Sequence, residues 1–258
     1  QLFKIPCTDD QLLQVIERGN KLFLHVGNYI ADNYAVLYSK PGNLIITDHA
    51  TGEYDYIPFD FKDKKILLTD AKVPRISIWD EEIVRQPENV LLLGDLRDRK
   101  NNVYGGWIYE QSATEINETL SVISEDVKKK LLYIIKEHQF VLDSREAILN
   151  GNFGVFARCV NQSHELLSDL YKISCPEIDW ILKRVSEFEP KLEYVREPVT
   201  CGRITGKGFG RCLYAIVRKK DVELYMKKLE EYERIFGFKP ETFEVKPAKG
   251  SRIIKNIK

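Results

Sequence analysis

The chain has 258 residues and carries 39 basic and 39 acidic side chains, so its formal net charge at pH 7 is zero. This balance argues against a polyanion such as nucleic acid as a partner, and no apolar run approaches the roughly 20 residues of a membrane span. Five cysteines with no CxxC pair favour reduced thiols in a cytoplasmic protein over a disulfide framework or a zinc site.

The N-terminal part predicts helices followed by short strands. Asp9 and Asp10 are placed to cap a helix whose apolar residues recur with helical spacing, and a second helix is expected from Asn28 through Tyr38. The pattern then changes to β-rich runs separated by turn residues such as Gly42. The runs are Leu44–Thr47, Tyr54–Phe59 and Lys65–Thr69. Their close spacing predicts a meander or hairpin sheet.

The C-terminal half is predicted to be mostly helical. An apolar stripe from Val127 to Leu149 marks a long helix that Gly151 ends, and Phe153 to Leu167 continue on the next helix. Ser174–Glu177 has the pattern of a capping box, with Pro176 in the first turn. A strand, a helix and a strand then form a β-α-β unit over Leu213–Val217, Val222–Phe236 and Glu241–Val245.

A loop before that unit, Ile204–Cys212, reads ITGKGFGRC and has glycine at alternate positions. Gly206, Gly208 and Gly210 remove side chains from the loop, so its backbone amides can approach an anion such as phosphate. A tight turn before the apolar run that starts at Cys212 would also favour glycine. Both interpretations stay open on the local sequence.

Four segments around this loop occur in a distinctive order. Asn161–Glu165, Asp169–Tyr171, Ser174–Asp179 and then the loop resemble the NESH-like, DDY-like, SCPELD and MTGGGFGGC segments in the C-terminal half of galactokinases, which belong to the GHMP kinase superfamily. Tyr29–Tyr34 is similar to the GIMDQ segment of the same family. The resemblance runs from about residue 29 to the C-terminus.

The resemblance implies an α+β fold, in which the end of a GHMP-kinase N-terminal domain is followed by a ferredoxin-like GHMP C-terminal domain. Residues 1–75 would be the remnant of the first domain, 76–106 a connection, and 107–258 the second domain. The β-α-β unit and the helices before it suit such a ferredoxin-like domain.

The resemblance also implies a chemistry, because galactokinases transfer the γ-phosphoryl of ATP to the C1 hydroxyl of the sugar, with ATP and Mg²⁺ as cofactors. Asp32 falls where the family has its catalytic aspartate; a surface aspartate on an amphipathic helix is the alternative. Arg75 lies one residue beyond the family's basic position, and it either replaces that residue or is a surface arginine. Support for the phosphate site is expected from Thr205, Gly206, Lys207, Gly208 and Gly210.

Other polar residues are expected to be mainly structural. Arg203 matches the arginine of the family's SRMTG segment, with a structural ion pair as its alternative role. Asn161, His164 and Asp169 are interpreted as hydrogen-bonding residues of a helix junction. No residue is assigned to the sugar or to a metal ion.

Several positions depart from the family's motifs. Tyr29 stands where the GIMDQ segment has glycine, Pro74 where a basic residue is expected, and Lys207 and Arg211 replace two glycines of the loop. The two added cations could strengthen phosphate binding or obstruct it. The GRVNLIGEHTDY-like and PxGxGLSSSAA segments, which serve the sugar and the ATP phosphates in the family, do not occur in the chain.

Two functions stay open on these observations. The chain is either a galactokinase-like sugar kinase that needs an N-terminal region or a partner polypeptide, or a non-catalytic sugar- or nucleotide-binding or regulatory protein with the same fold. A small-molecule sugar and ATP are the expected ligands in the first case, and neither a nucleic acid nor a membrane is an expected partner.

Overall fold

A computed structural model of the protein describes residues 7–24, 30–48, 51–74, 121, 125–188, 197–206 and 211–251. These residues form two compact units. The first comprises the chain up to Asp60 together with the residues from Lys246 onward, and the second comprises Phe61–Val245. Across the described residues, no helix combines the length and the apolar character that crossing a membrane requires.

The first unit begins with helix α1 over Asp9–Gly19, which passes into a π-helical turn at Asn20–Leu24. Its N-cap is Thr8: the Gln11 N–H donates to Thr8 Oγ1 at 3.2 Å, and the Thr8 N–H donates to Gln11 Oε1 at 3.0 Å. This is a capping box. Asp9 and Asp10 lie in the first turn, so the prediction that they cap the helix is wrong by one residue.

Helix α2 and a hairpin complete the regular structure described for the first unit. Helix α2 spans Ile30–Tyr38, and strands β1 and β2 pair in antiparallel register over Asn43–Thr47 and Tyr54–Pro58. The hydroxyl of Tyr34 donates to the carbonyl of Gly52 at 2.8 Å, so the helix is tied to the hairpin turn. The hairpin prediction is confirmed for these two strands.

The second unit is built on a four-stranded sheet. Its strands are β3 at Lys64–Asp70, β4 at Cys201–Ile204, β5 at Cys212–Arg218 and β6 at Glu241–Val245. Their order is β4-β5-β3-β6, and every neighbouring pair is antiparallel. With helices between β3 and β4 and between β5 and β6, this is the ferredoxin-like topology, and the α+β prediction is confirmed.

Strand β3 corrects the predicted meander. The run at Lys65–Thr69 does not pair with β2; it lies between β5 and β6, with Leu67 opposite Ala215. Leu67 and Thr69 are almost fully buried, since this central position gives them neighbours on both sides. The first strand of the ferredoxin-like sheet therefore comes from within residues 1–75.

The compact units divide after Asp60, whereas the boundary predicted from the sequence falls after residue 75. Residues 76–106 lie outside the described residues. The predicted domains, at residues 1–75, 76–106 and 107–258, therefore stay a prediction.

In the part of the chain that the structure describes, four helices accompany this sheet. Helix α3 spans Glu125–Leu149, α4 spans Phe153–Asp169, α5 spans Pro176–Ser186 and α6 spans Val222–Phe236, the last preceded by a 3₁₀ turn at Lys219–Asp221. The N-cap of α5 is Cys175, which makes no capping hydrogen bond with its side chain. The predicted capping box at Ser174 is therefore wrong, because the Ser174 hydroxyl donates to the carboxylate of Asp179 instead.

The core of the second unit packs α5 and α6 against one face of the sheet. Its most deeply buried members are Leu67, Ile178, Ile181, Val185, Leu213, Ala215, Val217, Tyr225 and Tyr232. Side chains alternate between the faces of a strand, so Arg203 points away from this core while Gly202 and Ile204 face it. A Cβ at Gly202 would lie 2.5 Å from Leu182 Cδ2, so the close approach of α5 to β4 requires glycine there.

Candidate functional site

Asp32, the predicted catalytic carboxylate, lies in the first turn of α2 and is exposed to solvent. The first turn is where acidic side chains interact favourably with the helix macrodipole. Tyr29 and Arg75 lie outside the described residues, so their predicted roles stay predictions. An exposed carboxylate at a helix start is free to meet a ligand hydroxyl, and its catalytic role stays a proposal.

Asn33, the residue beside Asp32, has a buried amide nitrogen. Among the described residues, Nδ2 of Asn33 has no hydrogen-bond partner. Buried amide donors are almost always paired in folded proteins, because an unpaired one costs about 1–3 kcal/mol. The Asn33 amide is therefore a buried donor whose partner is not among the described residues.

The glycine-rich loop joins two antiparallel strands. Ile204 pairs with Leu213, and the Thr205 N–H donates to the carbonyl of Cys212 at 3.0 Å, so the loop is the connection of the β4–β5 hairpin. Gly206 has a φ of +74°, a conformation that favours glycine. Lys207, Gly208 and Gly210 lie outside the described residues. The strand that follows offers no helix N-terminus for a phosphate, and the choice between the tight-turn and phosphate interpretations stays open because the centre of the loop lies outside the described residues.

Arg211 closes the loop in a strained conformation. Its φ is 145°, which non-glycine residues rarely adopt and which costs of order 1–3 kcal/mol. Two contacts offset the strain. The Arg211 carbonyl accepts from the Ala71 N–H at 2.6 Å, and Arg211 Nε lies 3.2 Å from both carboxylate oxygens of Asp70.

Asp70 is the centre of a small ion-pair cluster at the end of β3. Besides Arg211, it accepts from the backbone N–H of Lys72 at 2.9 Å and pairs with Lys72 Nζ at 3.0 Å. Lys72 Nζ also contacts Glu241 on β6 at 2.8 Å. Burial raises the pKa of Asp70, but the hydrogen bonds from Lys72 and Arg211 outweigh it and leave that pKa below its ordinary value. Arg211, one of the two cations predicted to strengthen or obstruct phosphate binding, is thus already paired with a carboxylate.

Arg203 is held by residues of two helices on the second face of the sheet. Its guanidinium donates to Ser163 Oγ and to Glu137 Oε1, each at 2.7 Å, and Ser163 donates to the other oxygen of Glu137 at 2.5 Å. The alternative of a structural ion pair is the one that the structure shows. No local sequence pattern indicated Glu137, which lies 66 residues earlier on α3.

Asn161 and His164 make the structural hydrogen bonds expected of helix-junction residues, whereas the role of Asp169 stays a prediction. Asn161 accepts from the Gly202 N–H at 3.1 Å and donates to the Thr200 carbonyl at 3.3 Å, which anchors β4 to α4. His164 Nε2 lies 3.2 Å from Asp179 Oδ1. Asp179 also accepts from the hydroxyls of Ser168 and Ser174, so one carboxylate joins α4, α5 and the segment between them.

The hydrogen bonds that Asp179 accepts should make the free energy of unfolding depend on pH. Burial raises the pKa of Asp179, but hydrogen bonds from His164, Ser174 and Ser168 outweigh it, so the folded pKa lies below the unfolded value of about 4. Stabilisation by the carboxylate is then complete above about pH 4 and is lost as the pH falls through the folded pKa. Asp179→Asn should lower the free energy of unfolding by about 1 kcal/mol at neutral pH, a modest value because the side chain is partly exposed.

Urea unfolding between pH 7 and pH 3 measures this effect. The difference between the wild type and Asp179→Asn should stay constant down to about pH 5 and shrink below the unfolded pKa. Asp63→Asn is the control, since the Asp63 carboxylate is exposed and pairs only with the adjacent Lys64 in the contacts seen. A difference that grows as the pH falls would contradict the assignment.

The described residues contain no group of three or more His, Cys, Asp or Glu side chains that could hold a metal ion. Thr205 and Gly206 offer backbone groups at one edge of the sheet, but these do not make a complete cradle for a nucleotide triphosphate. The described residues therefore show no complete nucleotide site.

Comparisons with known proteins identify relatives along nearly the whole chain. Residues 144–233 match the family described as GHMP kinases C terminal. A protein of Treponema pallidum (strain Nichols) named "Putative galactokinase" is 34% identical over 98% of this chain and 62% of its own length. A galactokinase of Thermococcus kodakarensis is 27% identical over 92% of this chain and 62% of its own length.

Solved structures show the same fold. The crystal structure of Lactococcus lactis galactokinase complexed with galactose matches with a TM-score of 0.86 at 22% identity, over 98% of this chain and 63% of that one. A homoserine kinase from Cytophaga hutchinsonii matches with a TM-score of 0.54 at 12% identity, over 97% of this chain and 61% of that one. The chain thus spans less than two thirds of the length of these relatives, and over that span it is similar to galactokinases of the GHMP kinase superfamily.

Proposed function

We propose that the chain forms the greater part of a sugar kinase, which transfers the γ-phosphoryl of ATP to a sugar hydroxyl, by resemblance the C1 hydroxyl of galactose. The observation that carries this proposal is the alignment of 98% of the chain with a galactokinase homologue at 34% identity. Asp32 is the proposed proton acceptor or orienting group for the attacking hydroxyl, and Arg75 the proposed cation near the transferred phosphoryl.

ATP would supply the phosphoryl group, and Mg²⁺ would neutralise the charge on its phosphate oxygens. The chain's own contribution is a carboxylate at the start of α2 and, in the second unit, the hairpin loop with Thr205 and Gly206. Lys207, Gly208 and Gly210 are proposed to support the phosphate site from the same loop. The main phosphate cradle is proposed to come from polypeptide that this sequence does not include, either an N-terminal region or a partner chain.

The apolar surface of the first unit supports a need for further polypeptide. Its buried hydrophobic residues among those described are Leu13, Tyr34 and Ile57, a small core for two helices and a hairpin. Phe23 in the π-helical turn is 81% exposed, and Val15 in α1 is 65% exposed. Covering such residues is favourable by roughly 25 cal/mol for each Å² of apolar surface.

The proposal is tested first on the gene and then on the protein. The coding sequence upstream of Gln1 is expected to encode a GLSSS-type loop, and the protein carrying that region is assayed with ATP, Mg²⁺ and a panel of hexoses. Sugar-dependent ADP release, with a sugar phosphate identified by mass, is the expected result. Binding of sugar or ATP without turnover would favour the non-catalytic alternative, and absence of both binding and turnover would contradict either function.

A further inference from the structure

Arg211 has the features of a loop brace rather than of a phosphate ligand. It stands where the glycine loop of galactokinases has glycine, and its φ of 145° lies in the region that favours glycine. An arginine persists in such a conformation only if its surroundings fix it. The two fixing contacts come from adjacent residues at the end of β3, the Ala71 amide and the Asp70 carboxylate.

Asp70 is placed to hold both the loop and the segment after β3. Its two oxygens share the Arg211 Nε at 3.2 Å, while Oδ1 also accepts the Lys72 N–H and Oδ2 pairs with Lys72 Nζ. Lys72 itself has a φ of 59°, so a second residue in an unfavourable backbone conformation depends on the same carboxylate. The side chain of Asp70 is 16% exposed and that of Arg211 is 52% exposed, so water competes at the Arg211 end of the pair and its contribution is modest.

The charges of this cluster balance. Arg211 and Lys72 are opposed by Asp70 and Glu241, and Lys72 Nζ lies within 3.0 Å of both carboxylates. A cation that is neutralised by a carboxylate attracts an anionic ligand less than a free one does. The role of Arg211 is therefore to hold the C-terminal end of the glycine loop at the end of β3.

We propose that Asp70 is a positioning residue, which clamps the C-terminal end of the glycine loop to the end of β3 through Arg211. The same carboxylate fixes the turn at Lys72, which leads towards Pro74 and Arg75. The clamp thereby couples two segments to which the proposed kinase function assigns phosphate-handling residues, and its catalytic consequence rests on that function. The structural consequence does not, because it concerns only the described ends of the loop.

The test is a double-mutant cycle followed by hydrogen exchange. Asp70→Asn, Arg211→Gly and the double variant are made in the chain, and amide exchange is measured by mass spectrometry in peptides covering β3 and the ends of the loop. Asp70→Asn should accelerate exchange at Ala71, Thr205 and Cys212 by roughly three- to tenfold. In the Arg211→Gly background the same substitution should have little further effect on Thr205 and Cys212, because the coupling partner is gone.

A matched control removes another carboxylate of the same sheet. Glu244→Gln breaks the ion pair between Glu244 on β6 and Lys65 on β3, at the other end of the strand pair. It should leave exchange at the loop ends within about twofold of wild type. Equal acceleration by Glu244→Gln and Asp70→Asn, or an unchanged effect of Asp70→Asn in the glycine background, would overturn the proposal.

Steady-state kinetics distinguish a loop-positioning role of Arg211 from a role as a phosphate ligand. In an active kinase preparation, Asp70→Asn should raise KM for ATP by roughly three- to tenfold with kcat nearly unchanged, and Asp70→Glu should restore part of the loss. If Arg211 were a phosphate ligand, releasing it from Asp70 would lower KM instead, and that result would overturn the proposal. A wild-type protein without sugar-dependent turnover would remove the proposed function, while the exchange data would still decide the clamp.

Discussion

Replacing Asp32 by asparagine is expected to lower kcat for sugar-dependent ATP turnover by about 10²- to 10⁴-fold in the active kinase. The two side chains have nearly the same size, but the amide cannot accept the proton of the attacking hydroxyl. Asp32 is exposed in the first turn of α2, so folding should change by no more than about 0.3–1 kcal/mol through the helix macrodipole. The measurement is steady-state kinetics with ATP and sugar varied separately, alongside urea unfolding.

Asp9→Asn is the matched control for that substitution. Asp9 also lies exposed in the first turn of a helix of the same unit, and no catalytic role is proposed for it. Its kcat should stay within about twofold of wild type, because only the macrodipole interaction is lost. Equal turnover by the wild type and Asp32→Asn would remove the assigned role of Asp32, and equal loss in both variants would indicate a general effect on the unit.

Local patterns in the sequence were sufficient to predict the helix and the strand near the C-terminal end. The predicted helix Val222–Phe236 and strand Glu241–Val245 have the bounds seen in the structure. The helix has a period of 3.6 in its buried residues and ends before Gly237, whose φ is +76°. The helical period and the glycine that ends the helix both lie within the segment itself. They can therefore be recognised without knowing which distant residues contact it.

Partners that are distant in sequence could not be inferred in the same way. The β-rich run at Lys65–Thr69 predicts a strand, but it does not identify the strand's partners, which include Val217 on β5. Asp70 and Arg211 are 141 residues apart, and each is an ordinary charged residue in its local sequence. The resemblance to galactokinases located the glycine loop, but only the structure shows that Arg211 is already paired.

The cap of α5 shows how tertiary contacts override a local motif. Ser174 and Glu177 have the spacing of a capping box, yet the hydroxyl of Ser174 bonds to Asp179, which also binds Ser168 and His164. A carboxylate shared by two helices offers a charged acceptor, and such hydrogen bonds are stronger than a neutral cap. The backbone keeps the predicted helix start, with Pro176 in the first turn, while the side chain takes another partner.

Tyr232 on α6 should be among the residues most important for folding of the second unit. It is fully buried, and its ring packs beside Trp180 and Phe236 at centroid distances of 6.2 and 5.0 Å. Tyr232→Ala should cost about 3–5 kcal/mol of unfolding free energy, from lost burial and the cavity that remains. Since a domain is commonly stable by about 5–15 kcal/mol, urea unfolding should show a large decrease in the midpoint or no folded protein.

Tyr232→Phe keeps the prediction testable if the alanine variant does not fold. Burial raises the pKa of Tyr232, so its hydroxyl stays protonated and donates to the carbonyl of Ala71 at 2.9 Å. The phenylalanine variant keeps the ring and leaves that carbonyl without its buried donor, at a cost of about 1–2 kcal/mol. Tyr225→Phe is the control, because Thr69 keeps its bond to Thr242 at 2.9 Å when the Tyr225 hydroxyl is removed.

The two phenylalanine variants should also differ in where they loosen the structure. Ala71 lies between Asp70 and Lys72 and donates its N–H to the Arg211 carbonyl, while its own carbonyl accepts from Tyr232, so Tyr232 holds the same residue through the next peptide group. Amide exchange at the loop ends should therefore rise in Tyr232→Phe by roughly threefold and stay near wild type in Tyr225→Phe. Equal exchange in both variants would mean that Tyr232 stabilises only the core, and that α6 does not contribute to holding the glycine loop.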